Sequence, residues 1–328
     1  MKDHQFARKI LVDTDPGGDD IFALLWLQSL VKKGVAELVG VTTADGNVGG
    51  EFTFRSACKI LEIGGFKDVE VGRAVPLNQL TSEDAAHIHG GDGMGNLSQT
   101  LPEPTRQFNR ARYADEMIIE ALEATPGEIT IIGLAPFGNL AAAEAKKPGI
   151  LTKAKEIVMM AGAFKTRGNV TPVSEFNVGY NPEAAEAVLS SREDIVVVSL
   201  DVTREVIFRR EMSEAIARVN PNHILAKFIP ALTEFMIGSS LRYRETNGIE
   251  GFLVHDAVTV AYLFYPETLL FQRGLVGVET AGKYTRGQTI LEERPVAKRR
   301  ANAWVSWQCD RDNLLASLVE DLKELLAG

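Results

Sequence analysis

Four aspartates fall within eight positions of the stretch ILVDTDPGGDD, residues 10–20: Asp13, Asp15, Asp19 and Asp20. Like charges at that density repel, so something must offset them. Three chemistries compete. Helix capping accounts for Asp19 or Asp20 at a helix N-terminus. It leaves Asp13 and Asp15 at the end of an apolar run, where an unpaired charge is expensive. A divalent cation would offset the repulsion and use the carboxylates as ligands. Oxygen-only donors favour Ca²⁺ or Mg²⁺ over zinc or copper. An EF-hand loop counted from Asp13 needs a Glu at its twelfth position, where the chain has Leu24. A phosphohydrolase of the D-x-D type would make Asp13 the nucleophile with Mg²⁺ bound. That motif continues to Thr or Val two residues after the second acid, where this chain has Gly17.

The elements that must position these acids follow from hydrophobic patterning. Short β-rich apolar runs at 9–12, 36–43, 68–72, 128–134, 155–162 and 194–200 read as strands. Helical stretches at 19–33, 51–63, 139–147, 182–191 and 255–265 separate or follow them, and another closes the chain at 311–326. Nearly continuous apolar strands alternating with helices predict an α/β fold, a mostly parallel central sheet with helices on both faces. Ligands in such folds bind beyond the carboxyl ends of the strands. The polar clusters after Val12, Thr43, Leu134 and Met160 all lie just past strand ends. Residues 73–112 and 239–254 read as long loops, functional or disordered, and 271–309 as short strands with an exposed turn. The basic run at 297–301 reads as a solvated turn. Trp26, Phe52 and Phe54 fit helix core faces.

The chain has 328 residues, 45% hydrophobic and 24% charged, with a formal net charge of −9. Length alone suggests about two domains, yet one α/β domain reaches this size, and no linker composition divides 1–328. The acidic balance argues against a nucleic-acid surface. Two cysteines, Cys58 and Cys309, make no disulfide framework and suggest a reducing compartment. The charged N-terminus lacks the apolar core of a signal peptide, and no apolar run reads as a bilayer span. The expectation is a cytoplasmic protein without a membrane partner.

The motif D-x-D-P-G-x-D-D after a strand resembles the signature of the inosine-uridine-preferring nucleoside hydrolases. Further segments resemble that family in order over about residues 9–310: TTADGNVGG, IHGGDG, GLAPFGNLA, MMAGAF with GNVTPVSEFNVGYNPEAA, and LVHDAVTVAYLFYPE. The resemblance implies a Rossmann-like single domain that hydrolyses the N-glycosidic bond of ribonucleosides. It implies Ca²⁺ held by Asp15, Asp20, the Leu134 backbone carbonyl and Asp256, with Asp13 in support. Asp15 would also be the general base for the attacking water. Asp19, Asn47, Asn169, Glu175 and Asn177 match sugar-binding positions. Met160 matches a sugar-contacting methionine, with Met159 as the alternative. His255 matches the histidine that would protonate the departing base. His89 would line the base pocket and His87 would not, while Tyr243 and Arg244 either cover the base or sit in an exposed loop. The resemblance further implies a homo-oligomer, dimer or tetramer. A non-catalytic Ca²⁺-stabilised nucleoside- or sugar-binding protein and the Mg²⁺ phosphohydrolase stay open as alternatives. The base preference is not legible.

Overall fold

The computed structural model describes residues 7–76, 83–294 and 300–328. The first strand, β1 (Arg8–Thr14), is buried from Ile10 to Thr14: it pairs on both edges and sends Ile10 and Val12 into one apolar layer and Leu11 into the other. Helix α1 (Gly18–Lys32) leads to β2 (Ala36–Thr43), then α2 (Gly50–Ile63) and the two-residue β3 (Val71–Gly72). The short α3 (Ala86–His89) and α4 (Ala114–Ala124) precede β4 (Ile129–Gly133), α5 (Gly138–Lys146) and β5 (Glu156–Met160). Next come α6 (Phe176–Tyr180), α7 (Pro182–Ser190), β6 (Ile195–Val198), α8 (Leu200–Thr203), β7 (Ile207–Phe208) and α9 (Arg210–Ala217). The last third holds α10 (Ile224–Tyr243), β8 (Phe252–Leu253), α11 (Ala257–Phe264), β9 (Leu269–Val278), β10 (Thr289–Glu292), β11 (Ala303–Cys309) and α12 (Arg311–Ala327).

Nine strands form the central sheet in the order β10-β9-β11-β6-β5-β4-β1-β2-β3, parallel from β11 to β3. Among the described residues β9 alone runs against the others, antiparallel to both β11 and the edge strand β10. The mostly parallel α/β sheet expected from the alternating runs is therefore present. Each face carries its own apolar layer. Phe22, Trp26, Ile60, Leu232 and Leu318 lie on one side, and Leu11, Phe137, Leu140, Val188 and Val305 on the other.

Several expectations change. Strand 68–72 shortens to Val71–Gly72. The loop at 73–112 contains α3 and is tied by Asp92, whose carboxylate accepts from the backbone N–H groups of Met94, Asn96 and Ser98. Residues 239–243 of the second expected loop are the last turns of α10. Helices α4, α9 and α10 fall where the sequence reading assigned no element. By length and composition α10 is apolar enough to cross a membrane, contrary to the expectation that no run is. Its apolar residues Leu225, Phe228, Ile229, Leu232 and Met236 pack into the core, which accounts for its composition. Phe52 is exposed rather than on a core face, while Trp26 and Phe54 are buried. Part of the basic run (297–299) and the first six residues of the N-terminus lie outside the described residues.

Candidate active site

The chain leaves β1 at Thr14, bends through Pro16-Gly17-Gly18 and enters α1 with Asp19 and Asp20 in its first turn. Carboxylates there face the positive end of the helix dipole. Asp20 is held by four donors: Thr14 Oγ1 at 2.5 Å, Gly17 N at 3.0 Å, Asn47 Nδ2 at 3.1 Å and Asp15 N at 3.3 Å. Asp15 accepts from Asn47 N at 2.7 Å through Oδ2. This approach requires Gly46, because a Cβ there would stand 2.0 Å from Asp15 Oδ2. Asn47 also donates Nδ2 to Asp15 O at 3.0 Å, so it braces both acids from the end of β2.

Asp13 has a different environment. Its Oδ1 accepts from Thr42 Oγ1 and Asn139 Nδ2, each at 2.7 Å, and its Oδ2 is buried without a partner. Burial pushes its carboxyl up to about 6 against those two hydrogen bonds. Asp13 is not part of the cavity wall that Asp15, Asp19 and Asp20 line. It locks the ends of β1, β2 and the start of α5 together, a supporting place that denies it an in-line approach to a phosphate.

Asp256, immediately before α11, joins the acids from the far end of the chain. Carboxylate oxygens of Asp19, Asp20 and Asp256 lie within 4.8 Å of one another. Burial, then mutual repulsion, raises Asp15, Asp19 and Asp256 well above the ordinary carboxylate range, and burial raises Asp20. Among the described residues no Lys or Arg pairs with these four acids. Oxygen-only donors, densely charged and buried, suit a hard divalent cation, which would remove the repulsion. The tightest trio includes Asp19, which the resemblance places on the sugar.

The remaining expected residues converge on the same cavity, of about 900 Å³. Asn177 donates Nδ2 to Leu134 O at 2.6 Å and Met160 O at 3.0 Å, tying the ends of β4 and β5. Glu175 caps α6, accepting from the backbone N–H of Asn177 and Val178, and also from Gly162 N at 3.0 Å. Burial pushes its carboxyl up to about 7 although all three bonds pull it down. Asn169 lines the opening, its Oδ1 accepting from Phe176 N at 2.9 Å. Strand alternation decides between the methionines: Met160 faces the cavity and Met159 is buried in the opposite layer.

Two histidines stand on the other wall. His89 Nδ1 accepts from Gly18 N at 2.9 Å, leaving Nε2 to carry the proton. Burial lowers its pKa to about 4. A Cβ on Gly17 would come 2.6 Å from His89 Nδ1, which explains glycine in that turn. His255 Nδ1 lies 2.7 Å from Thr203 Oγ1, and burial, then Arg204 and His89, bring its pKa down to about 3. It is neutral near pH 7. His87 also lines the cavity, against the expectation, because α3 turns it onto the edge of Tyr243 at 5.0 Å between ring centroids. Tyr243 and Arg244 line it too. Sequence reasoning missed Thr14, Asn139, Thr203, Arg204 and Glu245. Thr14 sits inside the aspartate motif and Asn139 just past a strand end, both readable signals. The other three carry none.

A parallel sheet whose strand ends gather buried acids, amides and histidines around one cavity defines an enzyme site. The chain matches the family model described as inosine-uridine preferring nucleoside hydrolase over residues 10–316, and it belongs to that family of hydrolases. It is 33% identical over 325 residues to a probable uridine nucleosidase 1 of Oryza sativa subsp. japonica, covering 95% of each chain. It is 32% identical to the pyrimidine-specific ribonucleoside hydrolase RihA of Shewanella woodyi, covering 97% of this chain and 98% of that one. Among solved structures, a plant nucleoside hydrolase superposes with a TM-score of 0.85 at 29% identity, over 96% of this chain and 99% of that one. A purine-preferring ribonucleoside hydrolase from Gardnerella vaginalis gives 0.88 at 25% identity, over 98% and 99%.

Proposed function

We propose that this enzyme hydrolyses the N-glycosidic bond of ribonucleosides to ribose and free base, with Ca²⁺ as its metal and uridine among its substrates. One observation carries the reading: Asp15, Asp19, Asp20 and Asp256 share one cavity, and among the described residues no cationic side chain pairs with them. Uridine is chosen because full-length relatives bear that substrate in their names.

Asp15, Asp20, Asp256 and the Leu134 carbonyl would hold the ion, with Asp19 close enough to share it or the ribose hydroxyls. Ca²⁺ when bound would orient a water and lower its pKa. Asp15 takes the proton of the attacking water. Its Oδ2 already accepts from Asn47 N, which leaves Oδ1 for that transfer. The glycosidic bond breaks with positive charge growing on the ribose ring, and carboxylates and amide oxygens around the sugar stabilise it. Asn47, Met160, Asn169, Glu175 and Asn177 form that surround, and His89 faces the base. The departing base needs a proton. A Thr203 hydroxyl donating to His255 Nδ1 leaves Nε2 as the proton-bearing atom that can hydrogen-bond the base and pass its proton on. The proton gained by Asp15 balances the one given to the base.

Free-ribose release from inosine, adenosine, guanosine, uridine and cytidine, before and after chelation, tests the reading. Metal-dependent release, uridine included, is expected. No release from any nucleoside with metal bound and the protein folded would overturn it. The reading keeps a cytoplasmic, homo-oligomeric protein, supported on the first point by the unpaired Cys58 and Cys309. Light scattering checks the second.

A further inference from the structure

Between Met160 and Phe176 the chain runs fifteen residues without a helix or strand. Such a segment must find partners for its backbone groups elsewhere. Its stretch 164–168 finds four of them on the four-residue α8 and the residue after it. Asp201 Oδ1 accepts from Lys165 N at 2.7 Å and Thr166 N at 3.1 Å, and Oδ2 accepts from Phe164 N at 2.9 Å and Ser199 Oγ at 3.2 Å. Arg204 donates Nη1 to Thr166 Oγ1 at 2.8 Å and Nη2 to Gly168 O at 2.9 Å. These two side chains hold both ends of 164–168, and the next residue is Asn169. Between them on the same helix, Thr203 meets His255 at 2.7 Å.

We infer that Asp201 and Arg204 are positioning residues for the substrate: through the loop 164–168 they set where Asn169 meets the ribose, while Thr203 on the same helix sets His255. One short helix thereby fixes the spacing between the sugar contact and the base contact. The inference rests on the hydrolase reading above. The geometry separates it from direct contact, because Arg204 lines the cavity and Asp201 does not. A role through the loop must appear on removing either residue.

The test compares Arg204→Ala, Arg204→Lys and Asp201→Asn in the full-length, metal-loaded enzyme. Losing these hydrogen bonds is expected to raise KM by about 3- to 10-fold in both Arg204→Ala and Asp201→Asn while kcat stays within about 3-fold. Arg204→Lys, which retains one donor arm, is expected to restore part of the affinity. Lys165 and Arg167 supply a second readout, since both are exposed tryptic sites in the loop. Native-state trypsin cleavage at 165–168 is expected to quicken in Arg204→Ala and Asp201→Asn without a matching drop in Tm. A KM rise confined to Arg204→Ala would mean that Arg204 touches substrate itself, and would overturn the inference. Unchanged cleavage in both variants would also overturn it. If the parent enzyme released no ribose, the hydrolase reading would fall, and the cleavage rates alone would decide whether α8 holds the loop.

Discussion

The two ends of the cavity are built on different plans. The acid end comes largely from one segment of eight residues, Asp13 to Asp20, with Asn47 beside it, all buried and tied by hydrogen bonds of 2.5–3.3 Å. The base end is assembled from distant pieces: His87 and His89, Arg204, Tyr243 to Glu245, and His255, which Thr203 backs. Tyr243 there is 44% exposed, against 1% for Asp15 and Asp20. A rigid, pre-paid charge cluster suits a step common to every nucleoside. A composite wall with exposed members suits the part of the ligand that varies. On the proposed reading, chemistry and selectivity would rest on structures that can change independently.

The largest break in that comparison should come from Asp15→Asn. It keeps the Asn47 contact and the shape of the acid end while removing the base. kcat for ribose release is expected to fall by about 10²–10⁴-fold with Tm little changed. Near-normal turnover would take the general-base role away from Asp15. At the other end, His255→Ala should discriminate between leaving groups. Loss of about 10²-fold or more is expected on natural nucleosides, with far less on a nitrophenyl riboside, whose leaving group departs unprotonated. Equal losses on both would leave His255 with a merely local structural role.

How far the sequence reaches follows the same division. The acids of the first end were readable, because a strand ending in D-T-D before a helix start concentrates carboxylates, and helix capping accounts for Asp19 or Asp20 but not for Asp13 and Asp15. Asn169, Glu175 and Asn177, singled out by the resemblance, also line the cavity. The base end was readable only in part: His89, His255, Tyr243 and Arg244 were singled out, and the rest was not. His87 reaches the cavity only through α3, a single turn inside a Pro- and Gly-rich stretch, and Thr203, Arg204 and Glu245 acquire meaning from tertiary contacts. Helix α10 was missed because its apolar residues surround Pro230 and lack a clean amphipathic stripe.

A finer probe of the acid end is Gly46→Ala. The added Cβ would collide with Asp15 Oδ2 and displace it, so activity is expected to fall by about 10²-fold for a shift near 1 Å. Stability should drop by about 1–3 kcal/mol. Retained activity would show that Asp15 has room the close contact denies. The smallest effect concerns Glu175. Its folded pKa, about 7, lies above the ordinary glutamate value of 4.5, so the native state holds that proton more tightly than the unfolded chain. The stability this confers is complete below about pH 4.5 and lost as pH rises through about 7, on the order of 3 kcal/mol. Metal-free protein carrying Glu175→Gln is expected to show a flatter fall in Tm over that window than the parent. Identical slopes would remove Glu175 as the titrating group.

The wide separation of the site's parts along the chain has a bearing on biosynthesis. Asp15 leaves the ribosome about 240 residues ahead of Asp256. At about 5–20 residues per second, the nascent chain carries an incomplete cluster for roughly 12–50 s. During that interval Thr14, Asn47 and the backbone of the Pro16–Gly18 turn are the partners available to shield the early carboxylates. Translation itself thus orders the assembly: a shielded anionic half waits, and the last carboxylate arrives when most of the sheet that aligns it has already been made.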